Sequence, residues 1–120
     1  MAAMDESLFD RIADKELHAL EGALSELDPD ECEVDNASGV LTLSLAGGSK
    51  LVVNSHRAAR QIWLAAYLPG VRRAWHFSPV EEAPHWRWRT APSADGSDEL
   101  RATLESLLAG ALGRPVPLPG

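Results

Sequence analysis

The apolar residues of this chain change their period twice, and that change restricts the fold more than any other feature. Between residues 7 and 27, Phe9, Ile12, Ala13, Leu17, Leu20, Leu24 and Leu27 recur three and four apart, the spacing of one helical face. Ser7 is the expected N-cap, with Asp10 three residues on beside the positive end of the helix, and Pro29 after Asp28 stops it. From Glu31 the period is two. Cys32 and Val34 alternate with Glu31, Glu33 and Asp35, and Leu41, Leu43 and Leu45 alternate with Thr42 and Ser44. Gly47, Gly48 and Ser49 turn the chain into a strand over 50–54, and a polar loop, 55–59, leads to another over 60–65. There Ile62 and Leu64 point inward, leaving Gln61, Trp63 and Ala65 on the other face. Trp75-His76-Phe77 and Trp86-Arg87-Trp88-Arg89 read as two short strands around a loop containing Pro79 and Pro84. Helical spacing returns over 98–112, with Leu100, Leu104, Leu107, Leu108 and Ala111 on one face and Ser97 as cap.

Helix, strands, helix in that order predicts an α+β fold: a two-layer sandwich with both helices on one face of an antiparallel sheet. At 120 residues the chain is one domain, burying roughly two thirds of its unfolded surface, enough for a core without covalent staples. The domain is expected over residues 1–113, with an extended, proline-rich tail over 114–120. A single cysteine excludes an internal disulfide framework and fits a reducing compartment. The apolar stretches fall short of the ~20 residues of a membrane helix, and the acidic N-terminus carries no targeting pattern. A cytoplasmic protein is expected.

Two surfaces stand out. Residues 1–36 hold twelve acidic side chains and only Arg11 and Lys15 as bases, a net −10, against +3 for the rest of the chain. Crowded carboxylates repel one another, and a cation or a basic partner relieves that repulsion. On the helix, Asp14, His18, Glu21, Ser25 and Asp28 align in one polar stripe. Carboxylates without thiolates suit hard cations and, lacking a cage, bind them weakly. The second surface is the uncovered sheet face. Thr42, Ser44, Asn54 and Gln61 suit water, but an exposed Trp63 forgoes about 2 kcal/mol of burial and invites a partner.

Residues 39–43 (Gly-Val-Leu-Thr-Leu), 48–54 (Gly-Ser-Lys-Leu-Val-Val-Asn) and 61–65 (Gln-Ile-Trp-Leu-Ala) resemble the frataxins, especially the bacterial CyaY type. Residues 7–14 are similar to that family's first helix, Trp75-His76-Phe77 to its aromatic-His-Phe strand, and Leu100 to Leu108 to its closing helix. The resemblance implies the sandwich derived above and a role in iron–sulfur cluster assembly, with a cysteine desulfurase and a scaffold protein as partners. It implies an acidic ridge of Glu21, Glu26, Asp28, Asp30, Glu31, Glu33 and Asp35, and a docking face of Asn54, Gln61 and Trp63. With Asp14 added from the helical stripe, these carboxylates are the candidate ligands for weakly held Fe2+ or Fe3+, and the protein is expected to be a monomer without metal. Gly22 and Ser25 thin the ridge, and residues 67–73 and 78–85 read as expanded loops.

Competing functions have less support. Cys32 alternates inward with Val34, which favours a buried apolar role over a nucleophile. No Ser/His/Asp set can be argued, and Gly47-Gly48 precedes a strand rather than the helix of a phosphate loop, so no enzyme is expected. The run Trp86-Arg87-Trp88-Arg89 could stack bases and hold phosphates, yet a −10 lobe repels nucleic acid. No nucleic acid partner is expected. The runner-up is an adaptor of the desulfurase and scaffold that never uses metal.

Overall fold

In the computed structural model, which describes residues 5–90 and 99–118, the leading helical stripe becomes α1 (Glu6–Leu24). Its cap is Asp5 rather than Ser7: the Asp5 carboxylate accepts the Leu8 amide at 2.7 Å, and Ser7 already lies in the first turn. The α-helix also ends before Leu27. Beyond Ser25 the amides of Glu26 and Leu27 bond carbonyls three residues back, a tightened last turn that still delivers Leu27 to the core.

The strands follow as β1 (Cys32–Ala37), β2 (Val40–Leu45), β3 (Lys50–His56), β4 (Gln61–Leu68), β5 (Val71–Glu82) and β6 (His85–Arg89), with a 3-10 turn at Ala46–Gly48. They form one six-stranded sheet in sequence order, and every neighbouring pair is antiparallel. The last element is α2 (Leu100–Leu112). The Glu99 side chain accepts the Arg101 and Ala102 amides at its start, and Gly113, at φ 72°, closes it in a left-handed conformation that costs glycine little. Ser97, the expected cap, lies outside the described residues.

Both helices cover the same sheet face. Phe9, Ala13, Leu17, Leu20 and Leu24 of α1 and Leu100, Leu104 and Leu108 of α2 are buried against Leu41, Leu43, Leu51, Val53, Ile62, Leu64 and Phe77. Each of these side chains other than Ala13 contributes roughly 1.5–3 kcal/mol of burial. The T-shaped pair of Phe9 and Trp88, with ring centroids 5.9 Å apart, ties α1 to β6. Residues 115–118 carry no regular secondary structure, yet they are part of the fold: Val116 is buried and Leu118 packs on the core.

Two segments read as loops are strands. Residues 67–73 form a hairpin in which Leu68 pairs with Val71 and Tyr67 with Arg72 across Pro69-Gly70, with φ of Gly70 at 78°. Residues 78–85 continue β5 into a second hairpin that turns at Ala83-Pro84, a cis peptide. Pro79 is tolerated because β5 changes partner there. Up to Phe77 it pairs with β4, and from Ser78 it pairs only with β6, so a missing amide breaks no second ladder.

Candidate functional site

The acidic residues wrap around the β1 edge of the sheet. Asp14 and Glu21 stand on α1, Glu26, Asp28, Asp30 and Glu31 in the connection to β1, and Glu33 and Asp35 on β1 itself. Alternation divides the strand: Cys32 and Val34 face the helices, so Glu33 and Asp35 project on the open side. Asn36 returns to the helix side, where its amide donates to Glu21 at 3.0 Å. The Asp28 carboxylate accepts the Asp30 amide at 2.9 Å, which sets the turn after Pro29.

These carboxylates share an edge, but they do not form a cage. Among the described residues no three of His, Cys, Asp and Glu gather closely enough to hold a metal ion. His18 is exposed in the helical stripe. Glu31 is already engaged, with Arg114 Nη2 at 2.6 Å and Nε at 3.3 Å. Nearer the start of α1, Arg57 lies 3.2 Å from Glu6 and 2.9 Å from Asp10, and Arg60 lies 3.6 Å from Glu6. The β3–β4 turn thus neutralises the beginning of the helix and confines excess negative charge to its second half and the β1 edge.

On the open sheet face, Asn54, Trp63 and His76 lie side by side across β3, β4 and β5, with His56 and Gln61 paired in the next rung. Trp63 projects from this face as expected, but its indole is not bare. His56 stacks on it at 3.9 Å between centroids and 11° between planes, and His76 stacks at 4.2 Å and 15°. The indole is half-buried as a result. Its Nε1–H donates to Gln61 at 2.8 Å, and the Gln61 amide donates to Ser78 at 3.3 Å. The two imidazoles were missed in the sequence because only strand register brings them to one tryptophan; alternation from Trp63 and Asn54 was the available signal. Among the described residues, the large apolar side chains most open to solvent are instead Tyr67, at 44 %, and Val80, at 40 %.

Cys32 is buried beneath the ridge, and burial, then the Glu31 charge, pushes its thiol pKa up. A thiol held protonated is a poor nucleophile. Another missed residue is Glu16, which sits inside the apolar stripe of α1. Arg101 of α2 grips it through two bonds, of 2.8 and 2.7 Å. The pair clamps one helix to the other.

A family model of the frataxin-like domain matches residues 2–114. The chain belongs to the frataxin family. Its relatives place it among the bacterial CyaY-type frataxins. The iron-sulfur cluster assembly protein CyaY of Pseudomonas aeruginosa is 33 % identical over 102 residues, covering 85 % of this chain and 90 % of that protein. Its namesake in Dechloromonas aromatica is 34 % identical over 107 residues, covering 89 % and 94 %. The solved structure of a frataxin from Psychromonas ingrahamii superposes with a TM-score of 0.78 at 21 % identity, over 98 % of this chain and all of that one, and it shows the same fold. In this frataxin no helix among the described residues is long and apolar enough to cross a membrane.

Proposed function

We propose that this frataxin acts in iron–sulfur cluster assembly as a binding protein rather than an enzyme, carrying or sensing iron for the machinery that builds the cluster. The relatives named for that process support the pathway. The observation that carries the iron reading is the excess of carboxylates around the β1 edge, outside the part of α1 that Arg57 and Arg60 neutralise. Fe2+ or Fe3+ is cargo here. Asp14, Glu21, Glu26, Asp28, Asp30, Glu31, Glu33 and Asp35 offer hard oxygen ligands, and a set with no ready cage holds a cation weakly and releases it quickly. The same acidic edge suits a basic surface of the cysteine desulfurase. The face of Asn54, Gln61 and Trp63 suits the scaffold, with the indole fixed in advance by its two imidazoles. The protein is read as a cytoplasmic monomer when no metal is bound.

The absence of a three-ligand cluster among the described residues also supports a second reading, in which the frataxin joins desulfurase and scaffold without metal. Reconstituted cluster assembly separates the two. Wild type, a ridge variant with Glu21, Asp28 and Glu33 changed to Lys, and Trp63→Ala are compared while iron is varied. A rate effect that scales with bound iron and disappears with the ridge supports iron delivery or sensing. An effect that needs the ridge at every iron level supports the adaptor, and no effect of either variant rejects both.

A further inference from the structure

The β2–β3 turn and the β4–β5 turn lie side by side at one end of the sheet and enclose a small pocket of about 260 Å3. Gly47, Gly48 and Ser49 line it from the first turn and Pro69 and Gly70 from the second, with Tyr67 and Arg72 as a side-chain wall. It is distinct from the Trp63 cluster. Along β4, Tyr67 stands four residues beyond Trp63, roughly 13 Å at strand spacing.

Strand register makes this corner cationic. Lys50, Tyr67 and Arg72 are direct neighbours across β3, β4 and β5. Leu51 and Ala66 are buried in the core, so all three of these side chains project on the open face. The Lys50 ammonium lies 5.6 Å from the centre of the Tyr67 ring. Among the described residues neither Lys50 nor Arg72 forms an ion pair. The carboxylate of the same rung is Glu33, two strands from Lys50 and beyond Ser44. Two uncompensated cations beside an exposed aromatic ring run against a net charge of −7.

The pocket's walls and size define what fits it. Gly47, Gly48 and Gly70 hold positive φ, at 77°, 80° and 78°, and a Cβ built on any of them meets no atom within 4 Å. The backbone there is bare and open to close approach. Among the described residues the hydroxyls of Ser49 and Tyr67 have no hydrogen-bond partner. The volume falls just below the roughly 300–1,000 Å3 of pockets for drug-sized molecules, which suits a small ligand rather than a chain segment.

We propose that this pocket binds the phosphate group of a small phosphorylated molecule. The Arg72 guanidinium and the Lys50 ammonium take its oxygens from either side of Tyr67, and the Ser49 and Tyr67 hydroxyls add donors. The organic part of the ligand rests against the Tyr67 ring. A carboxylate brings one charge and satisfies one cation, whereas a phosphate brings three acceptor oxygens and up to two charges and engages both. The site is independent of iron at the ridge and of docking at the Trp63 face.

NMR titration of the isotope-labelled protein with inorganic phosphate, then with phenyl phosphate, at constant ionic strength tests the site. The amides of Gly47, Gly48, Ser49, Gly70 and Arg72 should move along one saturating curve, with phenyl phosphate the tighter ligand. Arg72→Ala and Lys50→Ala should each weaken phosphate about tenfold. Both side chains are exposed, so neither change threatens folding. Tyr67→Ala should erase the preference for phenyl phosphate, and Trp63→Ala should bind as wild type does. Shifts that never saturate, acetate as effective as phosphate, or full affinity in Arg72→Ala would each overturn the proposal. So would vesicles of phosphatidylcholine and phosphatidic acid that hold the protein against excess phenyl phosphate, because the phosphate would then belong to a lipid headgroup.

Discussion

Changing Glu16 to Ala strips Arg101 of the carboxylate that accepts two of its bonds, at 2.8 and 2.7 Å. The Glu16 side chain is 7 % exposed and that of Arg101 18 %, so the guanidinium left behind is only partly hydrated. Bonding to Glu16 raises the Arg101 pKa further, so the guanidinium will not shed its charge to escape. Breaking a buried pair from one side costs about 3–5 kcal/mol, and the residual exposure of Arg101 places this case near 3. For a domain of this size that lowers Tm by about 10 °C. Urea unfolding followed by circular dichroism should show the midpoint falling while the slope stays constant. The decisive comparison is the double variant Glu16→Met, Arg101→Met. It removes both charges, so it should recover most of the loss and lie within about 1 kcal/mol of wild type. A single variant that loses under about 1 kcal/mol, or a double variant as unstable as the two singles added, would refute the clamp.

Gln61→Ala removes the acceptor of the Trp63 Nε1–H, so that indole proton should move upfield and exchange faster in NMR spectra, whereas retention of its position would show the bond is not formed in solution. Cys32 should resist alkylation at pH 8 until the protein unfolds. Its folded pKa is raised and the unfolded thiol ionises first, so stability should fall as pH rises above about 8.5, and a Cys32→Val variant should lose that decline. Arg114→Ala should leave the urea midpoint almost unchanged, since the pair with Glu31 is exposed and screened by solvent, and should strengthen cation binding at the turn, as read by calorimetry with Mn2+ or Fe2+.

Periodicity exposed the order and type of the elements because the apolar stripes of α1, β2, β3 and β4 face one core and need only local spacing to be seen. What it hid depends on pairing. Tyr67, Leu68, Val71 and Arg72 look like a basic loop until Tyr67 is set against Arg72 and Lys50, whose ammonium lies 5.6 Å from the ring. Pro79 reads as a breaker unless β5 is known to change partner beside it. The positions of the acidic residues were legible; their partners were not, since Arg114 lies 83 residues from Glu31 and Arg101 85 from Glu16. Glu16 did leave a mark, as a carboxylate four residues from Ile12 and four from Leu20 on the apolar face. Alternation from Asn54 put His56 on the open face, but the stacking of His56 and His76 on Trp63 shows only once the register sets them on either side of it.

The proposal that the carboxylates of the β1 edge bind the cation is tested most directly by an anaerobic NMR titration with Fe2+. Amide resonances of Glu21, Glu26, Asp28 and residues 30–35 should shift or broaden in fast exchange, with little change at Trp63, His56 or His76. Ridge resonances that stay fixed while the imidazoles of the sheet face respond would contradict it.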